Sequence, residues 1–226
     1  MRRTASLLAV GLAAVAVIAS GAPGSAGPRF SVRVINPWFP LIPGTTFVYT
    51  GVKDGKPSRD VMTVTRRTAV IGGAHCVVID DRVYLAGHLG ERTTDWYTQD
   101  SRGNVWYYGE QTAELAPSGR VTSTEGTWMT GVNGAQPGIY MPAHPHVGQS
   151  GRMEYYKGYA EDHFRVAAVL GTVTSGTPNS VLTEETTPLQ PGVLDNKLYV
   201  YGIGTVTELT VKGGSERNQL VSVTRT

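Results

Sequence analysis

Cysteine is almost missing from this chain of 226 residues. Cys76 stands alone, so no internal disulfide can form and the core and backbone ladders must hold the fold. Its setting, HCVVI, suits a buried small hydrophobe, and His75 falls on the opposite face of an extended strand, leaving the thiol without an activating partner. Net charge is also scarce. There are 20 Lys+Arg and 18 Asp+Glu, and Arg2 and Arg3 are the only charges before Ala26, so the chain beyond that point is balanced at 18 of each sign. Such a domain lacks the electrostatic pull that nucleic acid or an anionic membrane requires.

Signature motifs are missing as well. The chain holds no HExxH, no EF-hand loop, no nucleotide-binding GxGxxG or GxxxxGK[ST] run before a helix, and no GxSxG elbow; Ser150 in GQSG lacks the strand-turn-helix context. No stretch has the 3.6-residue periodicity of a confident amphipathic helix, and no fixed-period repeat occurs. No cofactor is required by any motif.

What is present begins with MRRTASLLAVGLAAVAVIASGAPGSAG, which has the basic start, apolar run and small-residue end of an export signal. Residues 1–26 are read as that signal, cleaved after Ala26. The run Leu7 to Ile18 is short of the roughly 20 residues needed to span a bilayer, so no transmembrane segment is expected after its removal. No cysteine lies in the signal or just after it, which disfavours a lipid anchor. The expected location is secreted or extracytoplasmic.

Residues 27–44, rich in proline and carrying Trp38-Phe39, form an extended lead-in. Residues 45–226 form one β-rich domain. Asp54-Gly55 and Gly72-Gly73 are hairpin turns, Ser101-Arg102-Gly103 is another, and hairpin follows hairpin to the end of the chain. The fold class is mainly β: an antiparallel, strongly curved sheet or open barrel. The segment 131–148, rich in Gly and Pro, reads as a long irregular loop. Residues 150–173 read as two strands with a bend at Gly158.

Counting by twos places Val77, Ile79, Asp81, Val83 and Leu85 on one face, so Asp81 interrupts an apolar row and must find a partner there. An arginine (Arg82, Arg92 or Arg102), a backbone turn or a cation would satisfy it. Asp95, Trp96, Trp106 and Tyr108 lie nearby in the 75–110 stretch, and with Asp81 they are the candidate ligand-binding residues, for an apolar or glycan ligand on the concave side. Asp80, Asp81, Asp95 and Asp100 could instead hold calcium, although Asp100 also suits the start of a turn. A second constellation, His144, His146 and Glu154, with Glu161, Asp162 and His163 downstream, has ligand types for zinc or copper and would serve a metal-dependent hydrolase.

The segments DRVYLAGHLGERTTDWYTQDSRGNVWYYGE, EGTWMTGVNGAQPGIYMPAHPHVGQS, EYYKGYAED and LYVYGIGTVTE resemble a group of uncharacterised exported bacterial proteins, the DUF3108-like or TapB-like group, over Pro40 to Val223. The resemblance implies a curved antiparallel sheet or open barrel in an extracytoplasmic protein and implies no catalytic residues. The reading that results is a non-catalytic binding or structural protein, with the hydrolase as the alternative.

Overall fold

Alternation of buried and exposed side chains builds this molecule, strand after strand. A computed structural model describes residues 29–171 and 180–226, and every regular element in it is a β-strand. The expected export signal lies outside the described residues. Among those described, no helix is long and apolar enough to cross a membrane.

The strands are β1 Phe30–Ser31, β2 Thr45–Lys53, β3 Lys56–Ile71, β4 Ala74–Leu85, β5 His88–Asp100, β6 Val105–Leu115, β7 Val121–Ser123, β8 Trp128–Met129, β9 Gln136–Met141, β10 Ser150–Arg152, β11 Glu154–Tyr155, β12 His163–Leu170, β13 Ser180–Thr186, β14 Leu194–Val200, β15 Gly204–Lys212 and β16 Arg217–Arg225. All pair antiparallel in one curved sheet, ordered β10-β12-β13-β14-β15-β16-β2-β3-β4-β5-β6-β9-β11, with β1 on β5 and β7 and β8 on β6 off that path. Asp54 and Gly55 both take positive φ, 52° and 68°, the conformation a tight hairpin demands.

The sheet curls until its ends meet, as a nearly closed barrel with one seam. That seam is a single stretch of chain. β10 pairs with β12, β11 pairs with β9, and Met153 lies between them, so the segment 150–155 changes partner midway and bridges the two edges. A Cβ built on Gly138 would stand 2.3 Å from the Arg152 carbonyl oxygen; only glycine lets the two backbones approach so closely. This is why β9 exists inside the stretch expected to be an irregular loop: Gly138 serves a close approach there, not a turn. The expected bend at Gly158 is present, in the turn between β11 and β12.

Opposite the seam, β16 pairs with β2 from Arg217↔Val52 to Arg225↔Thr45. The lead-in caps one end of the barrel. Val34, Trp38, Phe39 and Leu41 are buried there with Phe47, Val105 and Met141. Asn36 fixes this plug: its Nδ2 donates to the carbonyls of Gly103 (2.9 Å) and Pro142 (3.0 Å), while Oδ1 accepts from Trp38 N (2.8 Å). A smaller cluster, Ile71, Ala74, Cys76, Val78, Trp96 and Tyr108, lies on the outer face and is covered by Phe30, Trp106 and Met129. Cys76 is fully buried in it, and burial pushes its thiol up to about 12, which keeps it in the unreactive form.

Candidate functional site: the acidic lumen

The half of the barrel not filled by the plug is lined with ionisable side chains, about one from each strand. Strand parity sends Asp60 of β3 inward with Met62 and Val64, Asp81 of β4 with Val77 and Ile79, and Asp95 of β5 with Tyr97. Across the lumen, Glu185 of β13 follows Val181 and Thr183 inward, and Lys197 of β14 precedes Tyr199. Glu208 of β15 stands directly opposite Lys197.

Glu110 of β6 needs more than parity. Tyr97 pairs with Tyr107 but Trp96 pairs with Gly109, so β6 carries a bulge that turns Glu110 to the same side as Tyr107. Gly109 takes φ 147°, and a Cβ there would lie 2.7 Å from the Trp128 carbonyl oxygen; β8 packs directly over the bulge.

Two spaces in the lumen share part of their wall. An inner cavity of about 170 Å³ is walled by Asp60, Asp81, Asp95, Asn218 and the rings of Tyr49, Tyr97 and Tyr140. An outer one of about 500 Å³ includes Glu110, Glu154, Asp162 and Glu185, with the exposed Glu125 and Tyr159 at its rim. Lys197 and Glu208 border both. A groove of about 530 Å³ on the outer face, bounded by Arg82, Arg92 and Thr127, has similar volume. It gathers no comparable ionisable set, and Arg82 is already engaged by the carbonyls of Asp81 (2.5 Å) and Thr93 (2.9 Å).

Electrostatics inside the lumen follow from burial. Asp60 and Asp81 lie on neighbouring strands; burial raises both carboxyls, the charge of Asp81 raises Asp60 further, and the contact with Asp60 partly offsets the rise of Asp81. Asn218 Nδ2 also donates to Asp60 (3.2 Å). Among the described residues no arginine pairs with the Asp81 carboxyl, and its Oδ1 is buried without a hydrogen-bond partner. Asp95 is raised well above the usual carboxyl range by burial first and by Glu110 second, and the 2.6 Å bond from the Tyr107 hydroxyl only partly offsets this. Glu110 is raised to about 8 by burial and by Glu154; Glu154 is raised to about 8 by burial and by Asp162. Lys197 is the opposite case. Burial opposes its charge, but Glu185 at 2.9 Å and Glu208 at 3.4 Å outweigh burial and hold it as an ammonium.

The candidate residues read from the sequence are divided by the pleat. Asp81 and Asp95 enter the lumen. Trp96, Trp106 and Tyr108 pack on the outer face, with Phe30 edge-on to Trp106 (5.9 Å) and Tyr108 (5.4 Å). The aromatics that do face Asp95 are Tyr97 and Tyr107, stacked at 4.6 Å. Asp80 pairs with Arg67 outside. Asp100 organises its turn, accepting from the backbone of Arg102 and Asn104 and from the side chains of Asn104 and Trp106, each at 2.9 Å. Burial works against its charge but those bonds win, and its pKa is lowered. His144 and His146 lie on an exposed loop while Glu154 is inside. The three are not gathered, and among the described residues no group of three His, Cys, Asp or Glu side chains is placed to hold a metal ion.

Comparison with known proteins adds little. No family model matches the chain, and no curated protein matches it. Two solved structures share the general outline: a protein assigned as exported, with a YmcC-like fold, from Bacteroides fragilis (14% identity over 83% of this chain and 99% of that one, TM-score 0.44), and a protein assigned as a lipoprotein from Parabacteroides distasonis (11% identity over 84% and 99%, TM-score 0.43). At such scores the functional reading rests on the lumen alone.

Proposed function

We propose that this is an exported, non-catalytic binding protein that takes a small polar ligand into the open half of its barrel. The observation that carries the reading is the cavity of about 500 Å³ walled by Glu110, Glu154, Glu185 and Lys197, side chains brought together from both sides of the seam. Its volume is in the range of small-molecule sites, roughly 300–1,000 Å³. The apolar end of the interior is occupied by Val34, Trp38, Phe39 and Leu41. The open half is rich in acceptors, so it suits a ligand rich in donors, of which a short glycan is one form. The leader at residues 1–26 supports export, and the resemblance to the DUF3108-like group belongs with the same reading.

Val193 lines the outer cavity. Calorimetric titration with a panel of sugars, amines and lipids is expected to find polar binders whose heat disappears in a Val193→Trp variant. Binders that survive that block, or a panel in which only lipids bind, would remove the reading.

A further inference from the structure

We infer that the free edge of β16, Leu220–Arg225, is a docking site for an extended peptide of another polypeptide, which adds one more strand to the sheet there. The site is separate from the lumen, because its groove shares no lining residue with either lumenal space.

The wall is incomplete at this edge. β15 pairs with β16 only at Thr207↔Gln219, Glu208↔Asn218 and Leu209↔Arg217. The chain entering β15 is drawn elsewhere: Gly202 N donates to the Pro37 carbonyl (2.7 Å), and the Thr205 carbonyl accepts from the Tyr49 hydroxyl (3.1 Å). β16 nevertheless runs on along β2 to Arg225. Among the described residues, no strand pairs with Leu220–Arg225 on the side away from β2.

Burial reports the missing neighbour. Val223 stands directly opposite Phe47, on the same face of the sheet, yet Phe47 is 4% exposed and Val223 is 46% exposed. A valine that shares a face with a core residue and stays so open lacks cover on one flank. Beside it lies a groove of about 380 Å³, walled by Phe47, Leu220 and Val223 of the sheet and by Pro40 and Ile203.

Two features name the occupant. An extended row of unpaired backbone N–H and C=O groups is met by another extended backbone, and an apolar groove beside it takes alternate side chains of the incoming strand. A lipid or a sugar offers no such ladder. Sheet edges are commonly blunted by charge or proline, but Leu220–Thr224 carries neither, and its one bulge, at Val221, falls at the start of the free run.

Arg225 is the second feature. It is the one charged residue in the groove wall, its Nε donates to Thr45 Oγ1 (3.2 Å), and among the described residues no carboxylate pairs with it. Its remaining donors suit a carboxylate on the incoming strand. A second copy of this chain does not supply one through the same strand, since its edge, LVSVTR, brings another arginine and no acid.

Selection from a displayed library of random eight-residue peptides on the immobilised protein tests the assignment. Peptides with alternating apolar residues and one acid are expected to be enriched, and their binding should slow amide exchange in Leu220–Arg225 while β4 is unchanged. Ile203→Arg, at an exposed turn residue in the groove wall, should abolish capture, and Arg225→Gln should weaken it by about tenfold, the loss of one charge-assisted contact. N-methylation of one alternate set of peptide residues should abolish binding and of the other set should spare it, because a strand offers its N–H groups to each side in turn. No enrichment above the Ile203→Arg protein would overturn the inference. Binding indifferent to both N-methylated sets would overturn it too, as contact without a ladder. A dimer in sedimentation, with Leu220–Arg225 already protected in the absence of peptide, would assign the edge to a second copy and overturn it equally.

Discussion

Raising the pH from 5 to 8 at constant ionic strength is expected to weaken the fold. Glu110 and Glu154 titrate near 4.5 when unfolded and at about 8 when folded. Between those values the folded state binds more protons than the unfolded one, so stability is fullest below about 4.5 and falls as the pH climbs towards 8. Each such group costs about 1.4 kcal/mol per pH unit within that window. Two would cost about 3 kcal/mol per unit; because they repel one another and share a cavity that water enters, about 1–2 kcal/mol per unit is the expected net. The Asp60–Asp81 pair and Asp95, also raised, act with the same sign. Lys197 is raised above the ordinary lysine range and Asp100 lowered below the ordinary carboxyl range, so neither titrates between pH 5 and 8.

Urea titration reads the effect. With a slope of about 2 kcal/mol per molar urea, the midpoint should fall by about 0.5–1 M from pH 6 to pH 7 with the slope unchanged. In the Glu110→Gln/Glu154→Gln variant the fall should be at most half as large, and at pH 8 the variant should be the more stable protein. A midpoint that rises over this range in the wild type, or a double variant that keeps the full wild-type fall, would refute the assignment of those two acids to a desolvated lumen.

Three further outcomes follow from packing. Asn36→Ala removes three hydrogen bonds that hold the plug and should destabilise by about 2–4 kcal/mol in chemical denaturation, since the buried carbonyls lose their donors. Lys197→Met leaves Glu185 and Glu208 without their cation and should cost about 3–5 kcal/mol at pH 8; adding Glu185→Gln should recover part of this by the same assay. Gly138→Ala places a methyl against the Arg152 carbonyl and should raise amide exchange in β9, β10 and β11 selectively, while β3 to β5 keep their protection.

The barrel wall was legible in the sequence because hairpins are local. Asp54-Gly55 and Gly72-Gly73 announce their turns, and counting by twos from Val77 puts Asp81 inside, where it is found. The same count places Asp60 with Met62 and Val64, so its inward position was available too. Two things were not local. Glu110 lies on the wrong parity until the bulge at Tyr108-Gly109 reverses it, and nothing in the residue string reports a bulge that exists because β8 crosses at Trp128. Glu154 meets Glu110 only because the segment 150–155 changes partner at Met153, a property of the closed sheet. The aromatic residues from Trp96 to Tyr108 were conspicuous, but conspicuous residues on alternating positions necessarily serve opposite faces.

The pairing of β16 with β2 has a consequence for how such a chain matures. A polypeptide emerging N-terminus first can zip β2 to β3, β3 to β4 and so on as each hairpin appears, yet the free edge of β2 has no partner until the final strand, Arg217–Arg225, is out. For most of its emergence the growing sheet therefore displays an unpaired row of backbone donors and acceptors, the feature that templates aggregation.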